Sequence, residues 1–163
     1  MSLLNIRREG DPVLRQKAGE VTEITGDVIR LIDDMVETMI HNEGVGLAAP
    51  QVGVSQRIIV VRPDQDSLML AFINPVIKSS SGEAVAEEGC LSIPEKAGLV
   101  SRAEKIVVSG LNRKGEDVSL EASGLLARIF QHEIDHLDGV LFTDKIIADE
   151  QLIQELEESK KQI

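Results

Sequence analysis

Aromatic residues are scarce in this sequence, which has three Phe and no Trp or Tyr among its 163 residues. The core must therefore be built from aliphatic side chains. A single cysteine excludes an internal disulfide and makes a reducing cytoplasm the simplest compartment to expect. No apolar run approaches the roughly 20 residues that a membrane span requires. We therefore expect a soluble protein that does not cross a bilayer.

Basic residues are also in deficit, because 17 Lys and Arg stand against 28 Asp and Glu and give a formal net charge of -11. Such a charge repels phosphate backbones and anionic lipid surfaces, so nucleic acid and membranes are not expected as direct partners. The N-terminal residues 1–8 place their basic pair after the apolar residues, the reverse of a secretory signal. Import into an organellar matrix or stroma stays open, because a mature fragment would look the same.

Three stretches have the apolar spacing of amphipathic helices. In Gly26–His41 apolar residues recur at steps of three and four, and Thr25 or Asp27 can cap the first turn. The same spacing predicts a second, central helix over Gly124–Leu137. A third helix is expected from Ala148 to the C-terminus, where a short apolar stripe runs among Glu and Gln.

Short β-branched runs lie between the first two helices and predict strands at 57–62, 68–77, 105–111 and 117–121. The last two runs are joined by Asn112–Gly115, which has the length and the glycine of a hairpin connection and predicts antiparallel pairing. Strands grouped in this way lack the βαβ alternation of a parallel sheet. The prediction is an α+β fold in one domain over residues 1–163, with antiparallel sheets packed around the central helix.

The central helix contains a metal-binding pattern. His132 and His136 are four residues apart, so they lie on one helical face and can reach the same ion, while Glu133 can accept a proton from a water molecule. Cys90 is the natural third donor, since a catalytic site uses three protein ligands and leaves one position open. The alternatives are that the helix carries only partly exposed polar residues and that Cys90 is a small core side chain. His41 is interpreted as a partner of the first helix dipole, or as a further ligand.

A run of small residues, Gly44–Gln51, follows the first helix. Small side chains allow the backbone to approach a ligand closely, and the Gln51 amide can donate to an oxyanion. The alternative interpretation is a flexible loop between a helix and a strand.

Three motifs together resemble the signature motifs of peptide deformylases, in the order found in that family: Gly44–Gln51, Glu88–Ser92 and Gln131–His136. The similarity extends over nearly the whole chain through residues 10–14, 73–75, 102–105 and 139–142. It implies hydrolytic removal of the N-formyl group from nascent chains that begin with formyl-methionine, with release of formate.

The resemblance also implies a cofactor and roles for particular residues. One divalent ion is expected on Cys90, His132 and His136; the family generally uses Fe2+, and Zn2+, Ni2+ or Co2+ suit the same ligands. Glu133 is implied to move the proton. The Gln51 amide and the Leu91 backbone N–H are implied to stabilise the negative charge that grows on the formyl oxygen.

The expected substrate-binding residues are Gly44, Val45, Gly46, Glu88, Gly89, Leu125, Arg128 and Ile129. Arg128 departs from the family, whose members tend to carry an apolar residue there in the methionine pocket. We expect its aliphatic stem to line the wall while the guanidinium reaches water, the alternative being a charge that narrows the pocket. An Arg128→Ile substitution is predicted to change the preference at the first side chain. Glu88 and Arg102 are expected to form a buried ion pair behind the site rather than to be two separately solvated charges.

Two alternative functions share the metal-binding pattern, and the ribosome is a possible partner. A zinc peptidase with the same helical motif would cleave internal peptide bonds, and a non-enzymatic protein with a closed metal site would need His41 as its fourth ligand. Some members of the family dock on the ribosome through a basic C-terminal helix. Residues 155–161 carry three Glu and two Lys here and so lack a basic excess, which argues against strong docking on RNA although transient ribosome proximity is compatible with it.

Overall fold

The computed structural model describes residues 2–147, which contain two α-helices and seven strands. The helices are α1 (Gly26–His41) and α2 (Gly124–Leu137). The strands are β1 (Gly46–Ala48), β2 (Ile58–Val61), β3 (Leu70–Ser81), β4 (Ala84–Cys90), β5 (Ile93–Arg102), β6 (Lys105–Leu111) and β7 (Asp117–Ser123). The helix predicted from Ala148 onward lies outside the described residues.

Both described helices begin and end at the predicted residues. Thr25, rather than Asp27, caps α1, because its side chain accepts a hydrogen bond from the Val28 backbone N–H at 3.3 Å. Helix α2 is followed by Gly139 in the left-handed conformation, with φ of 75°, a backbone geometry that glycine adopts without strain. No helix in the described range is long and apolar enough to cross a bilayer.

The strands form two antiparallel sheets, so the α+β prediction is confirmed. The larger sheet has the order β1-β2-β3-β6-β7, and β4 pairs with β5 in a separate two-stranded sheet. The four predicted runs correspond to β2, β3, β6 and β7. Gly44–Gln51, for which a flexible loop was the alternative interpretation, contains β1 and the start of a 3-10 turn over Ala49–Val52, and residues 84–102 form two strands where none was predicted. Glycine, proline and charged residues interrupt the apolar alternation there, because much of this hairpin faces solvent or the site.

Strand β2 lies between the two helices, which explains why all four of its residues are buried. Ile58 and Val60 pack into a cluster with the apolar face of α1, whereas Ile59 and Val61 pack with α2. Successive side chains of a strand point to opposite faces, so a strand covered on both sides has a continuous apolar sequence. This arrangement holds α2 against the large sheet.

The C-terminal end of α2 is fixed by the N-terminal segment and by Arg57, the residue before β2. The backbone N–H of Ala18 donates to the Leu137 carbonyl at 2.7 Å, and Nη1 of Arg57 donates to the same carbonyl at 3.1 Å. Arg57 also pairs with Asp138 through Nη2 at 3.0 Å. The last carbonyls of a helix have no intrahelical partners, so these donors stabilise the end of the helix that bears the two histidines.

Candidate active site

The structure brings the three predicted metal ligands together. Successive turns of α2 place the rings of His132 and His136 with their centroids 5.0 Å apart, and Cys90 ends β4 with its Sγ 3.4 Å from Nε2 of His136. The three donor atoms lie within 4.8 Å of one another. A sulfur and a nitrogen that share one tetrahedral ion are about 3.5 Å apart at ordinary bond lengths, so this donor set fits a single divalent ion.

The orientation of His132 is set by its neighbours. Its Nδ1 lies 2.9 Å from Oε1 of Glu88, and its ring stacks on Phe142 with centroids 6.0 Å apart. A carboxylate on Nδ1 leaves Nε2 to face an ion, which is the usual arrangement behind a metal-binding histidine. Nδ1 of His136 is buried and has no hydrogen-bond partner among the described residues.

The two histidines have opposite pKa shifts in the metal-free protein. Burial lowers the pKa of His132, but the charge of Glu133 and hydrogen bonds to Cys90 and Glu88 outweigh it and raise that pKa to about 10. Burial, reinforced by the charge on His132, lowers the pKa of His136 well below its ordinary value. Ligation requires neutral imidazole, so binding of an ion would release a proton from His132.

Glu88 is the centre of a buried ion cluster. Its carboxylate receives two hydrogen bonds from Arg102, both at 2.9 Å, so the expected ion pair is present and bidentate. Nη1 of Arg102 also binds Asp135 of α2 at 2.5 Å. Burial raises the pKa of Glu88, but hydrogen bonds from Arg102 and His132 outweigh this effect and hold the pKa far below its usual range. Glu88 is therefore ionised and fully engaged with protein groups.

Arg128 belongs to the same cluster, and the expectation that its guanidinium reaches water is wrong. Nη1 donates to Oε2 of Glu88 at 2.6 Å and to the Val100 carbonyl at 3.0 Å, and Nη2 donates to the Ala84 carbonyl at 2.8 Å. The side chain is only 10% exposed. The carboxylate and the two carbonyls give the guanidinium better partners inside the protein than outside it, which removes the reason for it to extend into solvent.

Glu133 lies next to the ligands with one oxygen uncommitted. The residue is buried, and Oε1 has no hydrogen-bond partner in residues 2–147. Burial raises its pKa to about 7, against the opposing charge of His132 and with some help from Glu88. Gly46 provides the space for this carboxylate, because a Cβ there would lie 2.5 Å from Oε2.

The Gln51 side chain is anchored beside Cys90. Its Oε1 accepts the Ala48 backbone N–H at 2.9 Å, and its Nε2 donates to Oγ of Ser92 at 3.1 Å and approaches the Cys90 Sγ at 3.5 Å. The amide therefore presents N–H groups next to the metal ligands. Leu91, the other residue implied to stabilise an oxyanion, follows Cys90 directly and lines the same cavity.

A cavity of about 430 Å³ opens beside the three ligands. All eight residues expected to contact substrate line it. Its walls are formed by Glu43, Gly44, Val45, Gly46, Gln51, Glu87, Glu88, Gly89, Cys90, Leu91, Pro94, Leu125, Arg128, Ile129, His132 and Glu133. Val45 and Leu125 are large apolar residues that remain exposed, as expected for a surface that receives an apolar group.

Two strand edges border this cavity. Strand β1 is the terminal strand of the large sheet, and β4 pairs only with β5. The Arg62 N–H bonds to the Val45 carbonyl, so the next residue, Gly46, directs its own N–H and carbonyl away from β2. Backbone groups that point into a cleft from a strand edge can pair with an extended peptide.

Two residues of the site were not identified from the sequence. Ser92 orients Gln51, and Asp135 holds Arg102 from α2. Both lie within the quoted motifs, so their position beside the ligands was the available signal. His41 is exposed at the end of α1 and is not part of the Cys90–His132–His136 group, which is the only cluster of three potential metal ligands in the described range.

Sequence comparison assigns the chain to a family. The profile of the polypeptide deformylase family matches residues 3–152. The peptide deformylase of Halothermothrix orenii is 58% identical over 147 residues, which are 90% of this chain and 96% of that protein. The chain belongs to the polypeptide deformylase family. It is therefore an enzyme of the peptide deformylase class.

Solved peptide deformylases have the same fold. The crystal structure from Thermotoga maritima superposes with a TM-score of 0.87 at 47% identity, covering 90% of this chain and 99% of that one. The actinonin-bound class I type b peptide deformylase from Acinetobacter baumannii gives a TM-score of 0.85 at 38% identity, covering 90% of this chain and all of that one. The deformylase architecture thus extends over nearly all of the chain.

Proposed function

We propose that this chain removes the N-formyl group from polypeptides that begin with formyl-methionine and releases formate, and that residues 1–163 form one catalytic domain. The observation that carries the proposal is the position of Glu133, a buried carboxylate with a free oxygen, beside three metal donors in an open cavity. The reaction adds water to the formyl carbon and breaks its bond to the amine nitrogen. It therefore needs a proton acceptor that later becomes a donor, next to a Lewis acid.

Cys90, His132 and His136 are the proposed ligands of one divalent ion. The ion is proposed to be Fe2+ natively, and Zn2+, Ni2+ or Co2+ can replace it in purified protein because thiolate and imidazole accept several borderline metals. A divalent ion at this site lowers the pKa of water and polarises a carbonyl oxygen. Cys90 supplies thiolate charge, while Glu88 holds His132 in the tautomer that leaves Nε2 free.

Glu133 is the proposed proton carrier. Its Oε1 accepts a proton from the attacking water and returns it to the departing amine nitrogen, so the enzyme ends the cycle unchanged. Burial favours the protonated form of this carboxylate and raises its pKa, which suits a group that takes up a proton and then returns it. The Gln51 amide and the Leu91 backbone N–H are the proposed donors to the formyl oxygen as it gains negative charge.

The substrate is proposed to bind as an extended strand between β1 and β4. Gly44, Val45 and Gly46 supply one edge of the cleft, and Gly89 lies on the other. Main-chain pairing of this kind holds a peptide without reading most of its side chains, which suits an enzyme that acts on many newly made chains.

The proposed pocket for the methionine side chain is formed by residues of α2. Leu125 and Ile129 provide its apolar surface, and the aliphatic part of Arg128 adds to the same wall. The Arg128 guanidinium is held by other protein groups, so only its stem is offered to the substrate.

We propose the cytoplasm as the working compartment, because a single cysteine allows no internal disulfide and suits a reducing environment, and transient proximity to ribosomes as the context. The net charge of -11 argues against tight docking on RNA or DNA. Residues 155–161, on which part of this interpretation depends, lie outside the described range.

A formate-release assay tests the proposal. Anaerobically purified protein is incubated with a formyl-Met-Ala-Ser peptide, and Glu133→Gln is expected to lower kcat by about a hundredfold or more while the ion is retained. Glu37→Gln is a matched control, because Glu37 of α1 also has a buried oxygen without a partner among residues 2–147 but lies outside the site. Internal cleavage of the peptide without formate would identify a peptidase, and binding of an ion with neither product would identify a non-enzymatic protein.

A further inference from the structure

We propose that Arg128 is a positioning residue that fastens the β4–β5 hairpin to α2 and thereby sets the distance between Cys90 and the two histidines. The metal donors come from two separate elements, because Cys90 ends β4 whereas His132 and His136 lie on α2. Something must hold these elements at a fixed separation. The inference rests on the proposed function only in taking these three residues as the ligands.

Arg128 contacts both strands of the hairpin from α2. Its guanidinium donates to Glu88 and to the Ala84 carbonyl on β4, and to the Val100 carbonyl on β5. The three donor–acceptor distances lie between 2.6 and 3.0 Å. A planar guanidinium can satisfy acceptors in several directions at once, which a single ammonium cannot do. This one side chain thus spans the two strands and the helix.

The position of Glu88 connects Arg128 to the metal site. Arg128 donates to Oε2 of Glu88, and Oε1 of the same carboxylate lies 2.9 Å from Nδ1 of His132. Arg102 binds this carboxylate from β5, but it cannot replace the bonds that Arg128 makes to Ala84 and Val100. Loss of Arg128 would remove three hydrogen bonds between α2 and the hairpin and would loosen the hairpin relative to α2.

The rate at which the protein releases its metal ion tests the positioning role of Arg128. Wild-type protein, Arg128→Met and Arg128→Lys are loaded with Co2+, and transfer of the ion to a chromophoric chelator is followed. We expect release to be about tenfold faster in Arg128→Met and about threefold faster in Arg128→Lys, which keeps the charge but not the planar group. Arg113→Met, which removes an arginine paired with Asp33 of α1 away from the site, is expected to release the ion at the wild-type rate.

Hydrogen exchange of the metal-free proteins gives a second measurement that does not depend on activity. The amides of β4 and β5 are expected to exchange faster in Arg128→Met, while those of β2 and β3 keep their wild-type protection. Unchanged release and unchanged exchange in a folded Arg128→Met protein would overturn the proposal. If that variant does not fold, Arg128→Lys carries the test, and wild-type behaviour in it overturns the proposal equally.

The same measurements distinguish the positioning role from a failure of the proposed function and from a role of Arg128 in substrate specificity. A wild-type protein that binds no ion would contradict the proposed function itself. A variant that retains the ion as tightly as the wild type but changes the ratio of formyl-Met to formyl-norleucine turnover would make Arg128 a specificity residue and would overturn the positioning role.

Discussion

Gly46→Ala should displace the Glu133 carboxylate without disturbing the metal ligands. A Cβ at position 46 would lie 2.5 Å from Oε2 of Glu133 and 2.8 Å from Cγ2 of Ile129, whereas ordinary contacts begin at 3.4 Å. The carboxylate must therefore retreat by about 0.9 Å, the difference between the first and last of these distances. A displacement of about 1 Å in a reacting group can cost a hundredfold in rate, so kcat should fall by roughly that factor.

The assay is formate release at saturating peptide, with metal content and thermal stability measured on the same preparation. Metal content should match the wild type, because Glu133 is not a ligand, and crowding should lower the free energy of unfolding by about 1 to 3 kcal/mol. Gly26→Ala is the matched control, since a Cβ there meets nothing within 4 Å. A metal-loaded, folded Gly46→Ala protein with kcat within about twofold of wild type would refute the assigned role of Glu133.

Two further predictions concern stability. Arg57→Met should lower the free energy of unfolding, measured in urea, by about 2 kcal/mol, because the hydrogen bonds that Arg57 donates to the Leu137 carbonyl and to Asp138 are lost. The value of kcat should not change. A loss of stability below experimental error would contradict this reasoning. The hydrogen bond from Arg15 lowers the pKa of Asp144. The Asp144 carboxylate therefore stabilises the fold at pH values above its unfolded-state pKa. This contribution is lost as the pH falls through the lower, folded-state pKa. Asp144→Asn should therefore cost about 0.5 kcal/mol at neutral pH, a small value because solvent screens the pair, and the difference should vanish in acid; a difference that grows in acid would show that the sign is wrong.

The helices and most of the large sheet could be predicted because local signals agree there. Gly26–His41 and Gly124–Leu137 combine apolar periodicity with a clear start and stop, and both bounds match the structure. Strand β2 was recognisable as a short β-branched run. Tertiary burial reinforces each of these patterns, so the sequence alone was sufficient.

The β4–β5 hairpin could not be predicted by the same means. Its residues 84–102 include several charges and glycines, and Pro94 lies in β5 where a strand signal would normally be interrupted. Its few buried apolar residues, such as Ile93 and Val100, pack against groups from distant parts of the chain and do not form a regular alternation. Arg128 and Glu88 are 40 positions apart, so the sequence shows two charges but not that they meet.

The three proposed metal ligands could be selected from the sequence for a different reason. His132 and His136 are close in sequence and share a helical face, which places both without knowledge of the tertiary fold. Cys90 could be added only through the need for a third donor and through its motif, because no local geometry relates it to α2. The prediction for the Arg128 guanidinium was wrong for a related reason, since two of its hydrogen-bond partners are carbonyls on strands that were not predicted.

The division of the metal donors between a hairpin and a helix also affects how the enzyme itself matures. Cys90 and His136 are separated by 46 positions, so the last donor is translated long after the first. A growing copy cannot assemble the complete ligand set until synthesis has passed α2. An enzyme that acts on newly made proteins thus becomes competent only after its own α2 has been synthesised, and any product that stops before α2 lacks both histidine donors.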